Sequence, residues 1–395
     1  MFVGIFLSFF TLQSQVAYEK GIVIDSIPVQ NTDKETFSLY LPTTFKSDAL
    51  TKVLFIFEPA ARGKHGVGVF KAAAEAYNFV LVCSNDSKNG PYERNFGIAN
   101  RLFDHVFTNY NIDERGIYLA GFSGGSRLAS AIACLTDQVA GVIACGAGFS
   151  GASAHTPATQ EFAYVGICGD LDMNYSEMIG VKGFLQQIQY NHTLFIFEGS
   201  HKWPPPKQID KAFVWLQVNA HKKGALKLTK QQLEHYFNTS LAQTKMLEND
   251  STILETVSSY ERIIALYSSF FETDSIVAQL LQLKKSKAYR QERVNLEKAF
   301  EKEKILSKKF SNRFRSDLDK AKKPPLNWWE KELGKLYKQQ LASDGQMRKM
   351  IVRVRYKVFA MAFSRNNPLL HESTKEQQEF CREIGELVYP ERQKD

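Results

Sequence analysis

The sequence predicts a doubly wound, mostly parallel α/β sheet followed by an all-α region. From about residue 35 to 220, short apolar runs alternate with helical stretches. Most of these runs are unbroken, which is typical of strands covered on both faces. After about residue 224 the strand pattern stops, and apolar residues recur at helical spacing instead. A chain of 395 residues is long enough for two domains.

Seven apolar runs are the candidate strands of the sheet. They cover residues 36–42, 52–59, 79–85, 116–122, 139–146, 162–169 and 193–199. Candidate helices lie between them and after the last, at 66–77, 92–110, 124–135, 175–190 and 206–220. The prolines at 204–206 suit the start of the last helix, because proline is tolerated in a first helical turn. We therefore expect an α/β domain over residues 16–220 and an all-α domain over residues 225–395.

The positive charge of the chain lies in its second part. Residues 221–395 carry a net charge of +11, whereas residues 1–220 carry −3. Such a difference can mark a nucleic-acid or anionic-membrane partner. The lysines alternate with glutamates, however, as in "QERVNLEKAFEKEKILSKKF" (291–310), which favours solvated helix faces over a nucleic-acid interface. The basic and apolar stretch 347–363 fits contact with a membrane surface or an acidic polymer. A solvated or buried helix explains it at least as well.

The first fifteen residues, "MFVGIFLSFFTLQSQ", resemble the apolar core of a signal peptide. The run of about ten apolar residues is too short to cross a bilayer. No Lys or Arg precedes it, so either the true start lies upstream of Met1 or this is only an apolar N-terminus. We expect export to the periplasm or medium, with a cytoplasmic location as the alternative. The five cysteines show no CxxC or metal spacing and are read as core residues.

A serine between glycines is the first candidate for chemistry. Ser123 lies in "GFSGG" (121–125), which fits GxSxG between a predicted strand and a predicted helix. That context is the one in which a sharp turn projects a nucleophilic serine from a sheet. The alternative is a glycine-rich turn in which a serine merely fits.

Two later strand ends carry the groups that such a serine needs. "ICGDLDMNY" (167–175) brings Asp170 and Asp172, and "FEGSHKWPPP" (197–206) brings His201. A serine hydroxyl needs a base to accept its proton and a carboxylate to orient the imidazole. The order Ser, Asp, His after successive strands is the order in α/β-hydrolases. His65 and His155 are weaker candidates that could line the mouth of the site.

Residues 35–220 resemble α/β-hydrolases, particularly esterases of the polyhydroxybutyrate depolymerase and feruloyl esterase kind. The matching residues are "GFSGG", "GDLD" (169–172) and "EGSHKWP" (198–204). The resemblance implies a serine esterase with Asp172 as the acid, because the acid of that family usually falls three residues after the loop glycine. Asp170 is then expected to cap the loop or the next helix.

The oxyanion hole should combine two backbone donors. One is the N–H of Gly124, directly after the nucleophile. The other should come from "FEPAARGKHG" (57–66), where Glu58 and Pro59 replace the His-Gly pair common in the resembling family. Proline has no N–H, so we expect the donor to be Ala60, with Ala61 as the alternative.

The sequence thus predicts a serine hydrolase with Ser123 as nucleophile, His201 as base and Asp172 as orienting acid. The resemblance favours carboxylic esters as substrates. One alternative is a peptidase with the same triad. The other is a non-catalytic scaffold whose helices bind a protein partner or a second copy of the chain. Short intervals between the three residues leave no room for a lid there, so an open cleft is expected. No metal or organic cofactor is implied, and no catalytic group is expected in the helical region.

Overall fold

A computed structural model describes residues 18–249, 252–320 and 326–389. The signal-like segment 1–15 lies outside these ranges, so the expected export stays a prediction. Among the residues described, no helix is both long and apolar enough to cross a membrane. All five cysteines are buried with free thiols, consistent with their interpretation as core residues.

Within the part of the chain that the structure describes, eight strands form one sheet. They are β1 (Val23–Pro28), β2 (Thr36–Tyr40), β3 (Thr51–Phe57), β4 (Phe79–Ser84), β5 (Ile112–Phe122), β6 (Gly141–Cys145), β7 (Ala163–Gly169) and β8 (His192–Phe197). Their order in the sheet is β1-β2-β4-β3-β5-β6-β7-β8. The pairs β1–β2 and β2–β4 are antiparallel, and every later pair is parallel.

Between residues 18 and 222, five α-helices cover both faces of the sheet. They are α1 (Gly63–Tyr77), α2 (Tyr92–Asn109), α3 (Gly124–Leu135), α4 (Tyr175–Gln187) and α5 (Pro206–Lys222). Alternate side chains of β3 show the two faces: Leu54 and Ile56 join the core under α1 and α5, whereas Val53 and Phe55 join the core under α2 and α3. The predicted fold class is confirmed, and the seven predicted strands are present.

In the described residues after α5, the helical region contains seven helices. They are α6 (Lys230–Asn249), α7 (Ile253–Tyr267), α8 (Asp274–Lys285), α9 (Lys287–Leu318), α10 (Leu326–Ala342), α11 (Gly345–Arg365) and α12 (Lys375–Val388). Ser286 caps α9 by accepting the Tyr289 N–H, and Thr374 with Gln377 forms a capping box at α12.

The buried apolar residues of the helical region fall into two groups, one that joins the core of the α/β part and one that forms a separate core. Buried residues of α6, α7 and α8, including Leu233, Tyr260 and Leu280, belong to the same apolar core as Phe213 of α5. Helices α9 to α12 instead enclose a core of their own around Trp329. Apolar packing therefore continues across the expected boundary at residues 220–225, and only the later helices build a separate core.

Candidate active site

The three predicted side chains lie at the carboxyl ends of parallel strands. Ser123 directly follows β5, Asp172 lies three residues after β7, and His201 lies in the loop that follows β8. Since β5, β6, β7 and β8 are consecutive neighbours in the sheet, all three loops emerge along one edge. This is the edge at which ligands bind in open α/β sheets.

A continuous line of hydrogen bonds joins the three side chains. His201 Nε2 lies 2.9 Å from Ser123 Oγ. His201 Nδ1 lies 2.9 and 2.8 Å from the two carboxylate oxygens of Asp172. An ionised carboxylate can only accept, so Nδ1 carries the proton and Nε2 of the neutral ring is free to accept the serine hydroxyl. The arrangement allows proton transfer from Ser123 to His201.

The backbone around Ser123 forms a strained turn. Ser123 has φ 54° and ψ −118°, outside the regions that most residues adopt. Its N–H donates to the Cys145 carbonyl at 2.8 Å. A Cβ at Gly121 would lie 2.2 Å from the Gly125 carbonyl oxygen, and one at Gly125 would lie 1.9 Å from the Phe57 carbonyl oxygen. The glycines thus let β3, β5 and α3 approach closely enough to hold the serine at the strand end.

The carboxylate of Asp172 is fully buried and held by its surroundings. Its Oδ1 accepts the backbone N–H of Asn174 at 2.8 Å. The Asn174 amide donates to the Gly146 carbonyl at 2.8 Å, which ties the acid loop to the end of β6. Gly146 has φ 66°, and a Cβ there would lie 3.0 Å from Asp172 Oδ2. A glycine therefore provides both the turn and the space that the acid needs.

Asp170 takes the capping role expected of it. Its Oδ1 accepts the backbone N–H of Gly199 at 3.0 Å, two residues before His201. Its Oδ2 forms an ion pair with Lys349 at 2.7 Å. The acid loop and the histidine loop are also joined through their backbones, since the Leu171 N–H donates to the Gly199 carbonyl at 2.9 Å. Asp170 therefore fixes the loops, while Asp172 contacts the imidazole.

The first expected oxyanion donor, Gly124, begins α3. The N–H groups of a first helical turn have no partner within the helix and lie at its positive end. The position directly after Ser123 therefore leaves the Gly124 N–H available to an anion bound at the serine.

The N–H of Ala60 is engaged within its own loop, which corrects the expectation for this residue. It donates to Glu58 Oε2 at 2.7 Å, and the Arg62 N–H donates to the same oxygen at 3.1 Å. The alternative, Ala61, donates to the Glu58 carbonyl at 3.1 Å. Burial raises the pKa of Glu58, but the hydrogen bonds from Arg62 and Ala60 outweigh it and hold that pKa below its usual range. Glu58 remains ionised and keeps these donors occupied.

A second loop, residues 87–90, lies between the Glu58 loop and the nucleophile. The Asn89 N–H donates to the Pro59 carbonyl at 2.9 Å. The Asn89 side-chain amide lies against Gly124, because a Cβ built on Gly124 would be 1.9 Å from Asn89 Oδ1 and 3.3 Å from Nδ2. A carboxamide therefore lies beside the Gly124 N–H.

The cleft at Ser123 has a volume of about 320 Å³ and is bounded partly by the helical region. Ser364 at the end of α11 and Leu370 in the loop after it line this cleft together with Ser123. The Asn367 amide donates to the Asn89 carbonyl at 2.9 Å. Residues far downstream of the three site residues therefore form one wall of the cleft.

The two weaker histidine candidates lie outside this cleft. His65 lies on α1, 6.5 Å from Trp203 between ring centroids. His155 Nδ1 lies 2.7 Å from Ser150 Oγ, and its ring packs on Tyr92. Among the residues described, no group of three or more His, Cys, Asp or Glu could hold a metal ion.

Sequence reasoning did not identify the residues that support the site from α11. Arg353 donates to the Asp170 carbonyl at 2.9 Å, and the Tyr356 ring lies 5.7 Å from the His201 ring. Their segment reads as an ordinary basic and apolar helix, so no local signal distinguishes them. The loop residue Asn89 likewise lies in a stretch without a recognised motif.

The fold has structural counterparts among known esterases. The chain is similar in structure to α/β-hydrolase esterases. S-formylglutathione hydrolase from Staphylococcus aureus matches with 15% identity and a TM-score of 0.41, over 49% of this chain and 95% of the hydrolase. Esterase 2 of Thermogutta terrifontis matches with 13% identity and a TM-score of 0.41, over 52% and 96%. The feruloyl esterase module from Clostridium thermocellum matches with 10% identity and a TM-score of 0.39, over 46% and 82%.

These matches cover about half of this chain. No protein-family model and no curated protein matches the sequence.

The close approach at Gly125 gives a prediction for the serine turn. In Gly125→Ala the new methyl must displace the Phe57 carbonyl or α3. The rate at which Ser123 reacts with a fluorophosphonate should then fall by about tenfold or more, because even a ~1 Å misplacement of a reacting group can cost ~10²-fold in rate. Gly180→Ala is the matched control, because a Cβ there meets open space on α4. Equal labelling rates in both variants and the parent chain would contradict this account of the turn.

Proposed function

We propose that the chain is a serine hydrolase that cleaves carboxylic esters through an acyl-enzyme on Ser123. The observation that carries the proposal is the hydrogen-bonded line from Ser123 Oγ through His201 to Asp172. The strained turn at Ser123 and the cleft beside it support the same reading, because they expose the hydroxyl to a bound substrate.

Acylation begins when Ser123 Oγ attacks the carbonyl carbon of the ester. His201 Nε2 accepts the hydroxyl proton as the new C–O bond forms. The tetrahedral intermediate collapses, the bond to the alcohol oxygen breaks, and His201 returns the proton to the departing alkoxide. The products of this half are the free alcohol and an ester of Ser123.

Deacylation repeats the same steps with water in place of the serine. His201 Nε2 accepts a proton from water, the hydroxide attacks the acyl carbon, and the proton passes to the Ser123 oxygen as it leaves. In both halves the Asp172 carboxylate accepts the Nδ1 proton and stabilises the imidazolium that forms. Its burial keeps water from competing for that hydrogen bond.

The oxyanion requires two donors in this mechanism. We assign the first to the N–H of Gly124. We assign the second to the side-chain amide of Asn89, which lies against Gly124, because the Glu58 carboxylate and carbonyl already engage the N–H groups of Ala60, Ala61 and Arg62. Asn89 Oδ1 is the amide atom nearer to Gly124, so in this assignment the amide turns to donate from Nδ2 to the developing charge.

The motif resemblance favours an ester over an amide substrate. The test is hydrolysis of p-nitrophenyl acetate and of a chromogenic peptide, together with labelling by a fluorophosphonate probe. Ser123→Ala should abolish both turnover and labelling.

Asp172→Asn should lower kcat by ~10⁴-fold, because the imidazole then loses the carboxylate that fixes its tautomer.

Labelling that persists in Ser123→Ala would refute the nucleophile. Turnover of the peptide without turnover of the ester would replace the esterase with a peptidase that uses the same residues.

The assignment of Asn89 predicts a loss of kcat specific to that side chain. Asn89→Ala should lower kcat by about 10²-fold, the effect of removing one oxyanion donor. Lys88→Ala is the matched control, since Lys88 is the exposed neighbour in the same loop and lines the same cleft. A kcat within threefold of the parent in Asn89→Ala would remove Asn89 from the mechanism and leave the triad untouched.

A further inference from the structure

A fully buried arginine connects the helical region to the acid loop. Arg353 of α11 has no exposed surface, and Glu303 of α9 is 3% exposed. Arg353 Nε and Nη2 donate to Glu303 Oε2 at 2.9 and 2.7 Å. The third nitrogen, Nη1, donates to the Asp170 carbonyl at 2.9 Å. One guanidinium thus binds both a neighbouring helix and the loop that carries Asp172.

Aromatic rings enclose this guanidinium. Its carbon lies 5.0 Å from the Tyr175 ring and 5.7 Å from the Phe300 ring. A buried charge is tolerated only when its partners are correctly placed, and removing one partner is strongly destabilising. The position of the Asp170 carbonyl, two residues before Asp172, is therefore tied to Arg353.

A second contact from α11 reaches the histidine loop through Asp170. Lys349 Nζ lies 2.7 Å from Asp170 Oδ2, while Asp170 Oδ1 accepts the Gly199 N–H. Tyr356 places its ring 5.7 Å from the His201 ring. Lys349, Arg353 and Tyr356 are spaced by four and three residues, so they lie on one face of α11. A single helix face therefore contacts both loops of the proposed triad.

We infer that α11 is a positioning element of the active site and that Arg353 is its central positioning residue. The inference rests on the proposed function. Arg353 touches neither substrate nor the reacting atoms. It holds the acid loop so that the Asp172 carboxylate stays within hydrogen-bonding distance of His201. In this account the helical region is required for turnover through its contact with the acid loop, in addition to its contribution to stability.

The chain offers a matched control on the same helix. Arg355 is also buried, at 4% exposure, but its guanidinium donates to Gln340 of α10 and to the Val388 carbonyl of α12. Arg353→Met and Arg355→Met make the same chemical change two residues apart. Only the first removes a contact with the acid loop.

The experiment measures kcat, KM and the free energy of unfolding of the full-length variants. Arg353→Met should lower kcat by about 10- to 100-fold while KM changes by less than about threefold, because the loss is in catalytic geometry. Arg353→Lys, which keeps a charge and a donor at this position, should recover part of the kcat. Arg355→Met should keep kcat within about threefold of the parent even where it destabilises the fold.

Hydrogen exchange of the peptide containing residues 170–176 gives a readout that is independent of activity. Exchange there should rise in Arg353→Met and stay unchanged in Arg355→Met. An unchanged kcat in Arg353→Met, or an equal loss in Arg355→Met, would overturn the inference. A parent chain without Ser123-dependent turnover that still shows the exchange difference would refute the proposed function and leave the positioning contact standing.

If Arg353→Met does not fold, Lys349→Met decides the question. Lys349 is partly exposed and binds the same Asp170. A lower kcat with faster exchange in the acid loop supports the inference, whereas parental values for both contradict it.

Discussion

The site depends on one imidazole that must contact two groups far apart in the chain. His201 bonds Ser123 and Asp172, which precede it by 78 and 29 residues. The sheet brings them together, because β5, β7 and β8 end at the same edge and their loops are short. Two glycines at this edge allow close contacts that a side chain would block. Gly125 lets the Phe57 carbonyl approach, and Gly146 leaves room for the Asp172 carboxylate. The proposed proton transfer from Ser123 to His201 therefore depends on how closely these strands and loops approach one another.

The helical region packs against the α/β part and contacts the loops of the proposed site. Helices α6 to α8 complete the apolar core on one face of the sheet. Helix α11 reaches the acid loop through the buried Arg353, which forms an ion pair with Glu303 of α9 and donates to the Asp170 carbonyl. The loop after α11 forms part of the cleft wall. Contacts of this kind add to the hydrogen bonds that join the acid loop to the histidine loop and to the end of β6. An imidazole needs such fixation, because a small displacement of its acid partner weakens the line of hydrogen bonds.

Much of the α/β part could be predicted because its signals are local. Buried parallel strands such as β7 carry unbroken apolar runs, and the three site residues follow strand ends in a recognisable order. The sequence does not predict strand β1, because "VIDSIP" at the sheet edge mixes polar with apolar residues. Ala60 was assigned as a donor because a sequence cannot show that Glu58 folds back on its own loop. Arg353 lies 183 residues after Asp170, and nothing near either residue signals their contact.

The central claim is that acyl groups pass through the hydroxyl of Ser123. The most direct measurement is to quench the parent chain with acid during turnover of a p-nitrophenyl ester, digest it, and locate the acyl group by mass spectrometry. The account predicts one acyl group per chain on the peptide that contains Ser123, preceded by a burst of p-nitrophenol. An acyl group on any other residue, or turnover with no acylated peptide at all, would contradict it.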